Sequence, residues 1–166
     1  MKKTITAVLA GGALLLTASP ALAETAQTAG PTLGPYGYGT VKLGMSAAKA
    51  RATGKIVLKR RAGASGCAGY DLRAFPTGRN NVGVYVSRRV GVAVILAGKG
   101  MRTPRGIGLG STMRQVNRAY PGLRTAPSGF RFVTVPGNPR AYYAFLESKG
   151  KVRQLVLALD RQDCVN

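Results

Sequence analysis

Apolar positions along this chain follow two kinds of pattern. Two stretches have the spacing of a short amphipathic helix. Met113, Val116 and Tyr120 share one helical face, with Arg114, Gln115, Asn117 and Arg118 on the other. Ala47 and Ala50 take the matching core positions in an earlier stretch. Each helical stretch is followed by runs that alternate as half-buried strands do. After the first come Tyr70–Phe75, Val82–Val86 and Val90–Leu96. After the second come Phe130–Val135, Ala141–Leu146 and Val152–Leu159. Ser87-Arg88-Arg89, Pro136-Gly137-Asn138-Pro139 and Ser148-Lys149-Gly150 supply turns between them.

The two helical stretches are copies of one another. Residues 41–54 read VKLGMSAAKARATG and residues 107–120 read IGLGSTMRQVNRAY. At an offset of 66, Val41 aligns with Ile107, Leu43 with Leu109, Gly44 with Gly110, Ser46 with Thr112 and Ala50 with Val116. Ser46 and Thr112 are expected to cap the helix N-termini, since a hydroxyl there accepts an otherwise orphaned backbone N–H. Gly44 and Gly110 allow the sharp turn into each cap. Gly54 closes the first helix, and Pro121-Gly122 stops the second. The expected fold class is therefore α+β, with two tandem units (39–98 and 99–166), each a short helix followed by an antiparallel β-meander.

The start of the chain has a different character. Lys2 and Lys3 precede an apolar run from Ile5 to Leu16, Pro20 breaks it, and Ala21-Leu22-Ala23 has the small-x-small form of a cleavage site. Residues 1–23 read as a secretory signal peptide, too short to span a bilayer comfortably. Residues 24–38, rich in Gly, Thr, Ala and Pro, read as a flexible leader into a single domain (39–166). The expected location is extracellular or cell-wall associated.

Export changes the meaning of the cysteines. Only Cys67 and Cys164 are present, and in an oxidising compartment they are expected to form one disulfide. Closing a loop of that length stabilises by roughly 4–5 kcal/mol on a chain-entropy account.

Charge narrows the partners. The net charge is +20, and loss of Lys2 and Lys3 lowers it to +18. Such a surface attracts polyanions, unless it serves only as a solvated coat. The candidate anion-binding groups are Lys59, Arg60 and Arg61, then Arg88 and Arg89, then Lys99, Arg102 and Arg105 before the second helix, and Arg114 and Arg118 one turn apart on it. Polyanion binding needs several of these on one surface. Tyr142, Tyr143 and Phe145 have only Arg140 beside them, which favours packing over stacking on bases.

The chemistry of catalysis is sparse. The chain has no His and, after export, five acids: Glu24, Asp71, Glu147, Asp160 and Asp163. Asp160 and Asp163 read as a solvated pair in the C-terminal tail, and Asp71 and Glu147 as partners for arginine. Gly106 to Thr112 places Ser111 where a dinucleotide fingerprint needs its third Gly, and lacks the Gly-Lys-[Ser/Thr] of a phosphate loop. No enzyme activity, metal or small-molecule cofactor is expected.

The repeated Leu-Gly-x-[Ser/Thr] helix start followed by strands resembles the repeat unit of the secreted β-lactamase inhibitory proteins of actinomycetes. It is also similar to the single unit of small outer-membrane lipoproteins of the barrel-assembly machinery. The wording of Gly100–Thr112, Tyr120–Leu123 and Val135–Pro139 resembles secreted proteins of actinobacteria. Two departures stand out. The inhibitors carry disulfides within each unit and aromatic-rich concave surfaces, whereas the pair here links the units and the chain has no Trp. The resemblance implies an architecture and not a β-lactamase target. The function expected is a secreted protein-binding module, an inhibitor or an envelope-associated assembly factor, with an extracellular or envelope protein as partner. The alternative is a basic polyanion-binding protein of the envelope, taking anionic cell-wall polymer or lipid headgroups.

Overall fold

The computed structural model describes residues 30–165. The expected signal peptide and residues 24–29 of the expected leader lie outside the described residues. Eleven strands and two helices follow in the described chain: β1 Leu33–Gly34, β2 Gly37–Tyr38, β3 Val41–Lys42, α1 Ala47–Ala52, β4 Ile56–Arg60, β5 Cys67–Leu72, β6 Val84–Ser87, β7 Gly91–Leu96, α2 Met113–Ala119, β8 Arg124–Thr125, β9 Arg131–Val135, β10 Asn138–Ser148 and β11 Lys151–Leu159. Strands β1-β2-β3 make a small sheet, and the other eight make one sheet in the order β4-β5-β6-β7-β11-β10-β9-β8.

The fold is mostly antiparallel β, with 43% of the described residues in strands and 10% in helix. This corrects the expected α+β class of two tandem helix-plus-meander units. The physical reason lies in three places. The helices are six and seven residues long and leave one buried residue each, Ala50 and Val116. Strands β4 and β8, and all of the small sheet, escape a search for alternation. And β7 pairs with β11, Leu96 opposite Val156 and Val94 opposite Ala158, so the strands form one continuous layer.

Local chemistry at the helix starts follows from the residues present. Ser46 is the N-cap of α1 and accepts from the Lys49 N–H at 3.3 Å. Thr112 caps α2 within a capping box: its hydroxyl accepts from Gln115 N at 3.2 Å, and Gln115 Oε1 accepts from Thr112 N at 2.8 Å. Gly44 and Gly110 both have positive φ, which a side chain would disfavour.

One face of the large sheet carries the main core. Tyr143, Phe145, Leu155, Leu157, Ile95 and Leu72 are buried there beneath the helices and the small sheet. Residues 31–38, expected to belong to a flexible leader, are held by long-range bonds. Leu33 N donates to Arg102 O, Tyr143 Oη donates to Leu33 O at 2.8 Å, Asn138 Nδ2 donates to Pro35 O at 2.8 Å, and Tyr36 Oη donates to Gly137 O at 2.7 Å. Tyr143 sits deep enough that burial, and then the neighbouring Tyr120, push its phenol well above the ordinary tyrosine range.

Candidate functional site

Among the described residues, no helix covers the other face of the large sheet. Its buried residues are Ala93, Val94, Ala144, Val156 and Ala158, and the hydrophobic side chains packed around them come from strands, from Phe130 and from the C-terminal tail. Antiparallel register sets the relief of this face. One row across the strands runs Thr134, Tyr142, Ala158, Val94, Tyr85, Gly69. The next row runs Arg124, Phe132, Ala144, Val156, Leu96. Small residues thus occupy the middle of both rows, and aromatic rings stand at the sides. The result is a trough of about 200 Å3, walled by Tyr85, Leu96, Phe130, Tyr142 and Leu146. Those wall residues are half-buried.

The alternation of strands places Tyr143 and Phe145 in the core and turns Tyr142 onto the open face. Phe132 stands edge-on to both Phe130 and Tyr142, with ring centres 6.0 and 6.1 Å apart. Arg124 lies over the Phe132 ring at 4.6 Å and donates to Thr134 Oγ1 at 3.2 Å, which sets its guanidinium in a neighbouring hollow that shares Phe130 and Tyr142 with the trough.

The C-terminal tail crosses this face. Cys164 forms a disulfide with Cys67 on β5. Between β11 and β5 lie β7 and β6, a span of about 14 Å at ordinary strand spacing. Gln162 folds the tail: its Oε1 accepts from Cys164 N and Val165 N, and its side chain also meets the Tyr142 hydroxyl. Burial raises the Tyr142 phenol above its usual range, and the Gln162 bond partly offsets this. Val165 dips into the trough. The sulfurs of Cys67 and Cys164 lie within 4.8 Å of the Asp163 carboxylate, but both thiols are consumed in the disulfide and offer no thiolate to a metal.

At the β4–β5 side, Asp71 organises a loop that lines a second hollow, which shares Tyr85, Leu96 and Gln154 with the trough. It is 5% exposed. Its Oδ2 accepts from Thr77 N at 2.7 Å and faces Lys59 Nζ at 3.1 Å, while Oδ1 accepts from the Thr77 hydroxyl at 2.7 Å and from Gly83 N at 3.0 Å. Burial opposes its ionisation, but the Thr77 bonds and then Lys59 outweigh burial, and the carboxyl is held below its usual range. Lys59 also donates to the carbonyls of Thr77, Gly78 and Asn81.

The ten basic residues singled out from the sequence are dispersed. Lys59 is tied into the loop just described. Arg60 and Arg61 are exposed at the end of β4 and just beyond it. Arg102 donates to Gly106 O, and Arg105 donates to Ala119 O and lies 5.2 Å from the Tyr120 ring, so both guanidiniums are turned onto their own chain. Lys99 is exposed in the joining loop, and Arg114 and Arg118 are exposed on α2. Arg88 and Arg89 sit in the β6–β7 turn, and Arg89 Nε stands 4.0 Å from Asp163 Oδ2. Arg89 alone of the ten shares a groove with two arginines that sequence reasoning did not select, Arg140 and Arg161. Counting back from the Ser148-Lys149-Gly150 turn sets residue 140 opposite 159, and the bulge between Leu146 and Glu147 shifts the register by one, bringing 140 beside 160.

The chain matches no family model, no curated protein and no solved structure. Among the described residues, no helix is long and apolar enough to cross a membrane.

Proposed function

We propose that the protein is exported and acts outside the cell as a non-catalytic binding module, with the open sheet face taking an apolar, acid-flanked segment of another protein. The observation that carries this reading is the trough: small residues in the centre of two cross-strand rows, with aromatic and aliphatic walls and, among the described residues, no helix over them. Surfaces of this kind bind protein side chains by shape and apolar burial. Arg124 in the neighbouring hollow, together with a net charge of +18 after export, favours acidic flanks. The disulfide and the sequence of residues 1–23 support export. The buried carboxylate, Asp71, has both oxygens engaged in holding a loop, which leaves it no part in proton transfer.

The test is capture from culture supernatant and envelope extract on the oxidised chain, with parallel washes at low and high salt. Phe130→Ser combined with Leu146→Ser removes one wall of the trough, and Arg114→Gln combined with Arg118→Gln removes charge from α2. The expected result is a protein that survives the high-salt wash, is lost on the trough variant and is kept on the helix variant. Capture of anionic polymer alone, all of it released by salt, would overturn the reading in favour of polyanion binding. So would a captured protein indifferent to the trough variant.

A further inference from the structure

We infer a second binding site, separate from the trough, for a phosphate-type dianion in the groove where Arg89, Arg140 and Arg161 converge. The groove has a volume of about 530 Å3 and a floor that includes Val90 and Leu159. Its three arginines come from three different parts of the chain: the β6–β7 turn, the start of β10 and the residues just after the β11 end. Main-chain pairing ties two of these parts together, since Asp160 N donates to Arg140 O at 3.0 Å.

Three observations point to a ligand with more than two acceptor oxygens. First, among the described residues the Arg140 and Arg161 guanidiniums make no hydrogen bond and no ion pair within 4.0 Å, and Arg89 has only its 4.0 Å approach to Asp163. Three like charges in one groove repel each other unless an anion sits between them. Second, Asp160 lines the groove and Asp163 stands against Arg89, so three cations face two carboxylates and positive charge is left over. Third, each guanidinium offers five donors in a planar fork. A carboxylate has two oxygens and satisfies one fork, whereas a tetrahedral phosphate accepts from several forks at once. The groove lies at the strand ends and shares no lining residue with the trough.

The experiment titrates the oxidised chain with inorganic pyrophosphate by calorimetry at fixed ionic strength. Arg140→Gln with Arg161→Gln empties the groove of two forks, and Arg114→Gln with Arg118→Gln removes the same charge from α2. Thermal unfolding checks that each variant is folded. The expected result is saturable one-to-one binding that weakens by at least about tenfold in the groove variant. The α2 variant should stay within about twofold of the parent. A second arm uses sedimentation with vesicles carrying a phosphomonoester headgroup against zwitterionic ones. Groove-dependent vesicle binding assigns the phosphate to a lipid, and groove-dependent pyrophosphate binding without it assigns a soluble or polymer-borne phosphate. Equal weakening in both variants, or no saturable binding in either arm, would overturn the proposal. Because neither arm touches the trough, either result leaves the protein-binding test independent.

Discussion

Replacing Asp71 by Asn tests whether one buried carboxylate holds the loop that lines the second hollow. The change keeps the shape and removes the charge. If the amide oxygen stays on Gly83 N, the amide nitrogen must face Thr77 N and Lys59 Nζ, and all three are donors. Lys59 keeps its carbonyl acceptors at Thr77, Gly78 and Asn81, so the cation is not stranded. The loss is then one charged hydrogen bond, one ion pair and an unmet Thr77 N–H, together about 3 kcal/mol. For a domain of this size that lowers Tm by roughly 10 °C. The assay is calorimetric unfolding of both proteins at pH 7 and at successively lower pH. The folded carboxyl titrates below its unfolded value, so its contribution is complete above the unfolded range near 4 and is lost as pH falls through the folded pKa. The gap between the two proteins should therefore close in acid. A gap that persists unchanged at pH 2, or a Tm change under about 2 °C at pH 7, would refute the ionic account of the loop.

Reduction of the Cys67–Cys164 bond should lower stability by roughly 4–5 kcal/mol, read as a fall in the denaturant midpoint, because it frees a loop with a separation of 97 residues. Thr112→Ala should destabilise by about 1 kcal/mol and Ser46→Ala by less, since Thr112 sits in a reciprocal capping box and Ser46 makes a single longer bond; equal effects in chemical denaturation would count against this. Tyr143→Phe should cost about 1 kcal/mol and raise protease cleavage within residues 31–38, because its hydroxyl holds Leu33 O. Tyr120, Tyr142 and Tyr143 have raised folded pKa values, so their contribution is complete below the unfolded value near 10 and falls as pH rises beyond it. Absorbance at alkaline pH should show late-ionising phenols that join the early phase only on unfolding.

Much of the large sheet was legible because its central strands alternate. Val84 and Val86, and the series through β10 and β11, show by their spacing alone which residues share a face. The helix starts were legible for another reason, since Gly followed by Ser or Thr has a definite local chemistry at Ser46 and Thr112. Strand β4 was not, because an edge strand need bury only one side. Ile56 faces the core, while Val57 and Leu58 are 41% and 43% exposed, and three consecutive apolar residues before a basic run show no period. The small sheet was hidden more deeply. Its two-residue strands have the composition of a linker, and what holds them lies far along the chain at Arg102, Asn138 and Tyr143. The trough needed registers across four strands, β6, β7, β11 and β10, which no single run of sequence contains.

The scarcity of acids gives the remaining link between composition and site. Among the described residues only Lys59–Asp71 and Arg89–Asp163 form ion pairs, and the first is spent on a loop. Other arginines bond to carbonyls or stack on rings, as Arg105 and Arg124 do. That arrangement suits a guanidinium, which is weakly hydrated and planar, better than an ammonium. It leaves the charge of the chain largely unbalanced while anchoring the side chains that carry it. Long-range attraction therefore comes from charge spread over the whole surface and falls with salt, whereas selectivity must come from places where geometry is fixed. The trough and the three-arginine groove are two such places. The first is built by the alternation of small and aromatic residues across the sheet, and the second by the strand ends that bring Arg89, Arg140 and Arg161 together. The disulfide-tethered tail connects them: Asp160 and Arg161 line the groove, Gln162 meets Tyr142, and Val165 enters the trough.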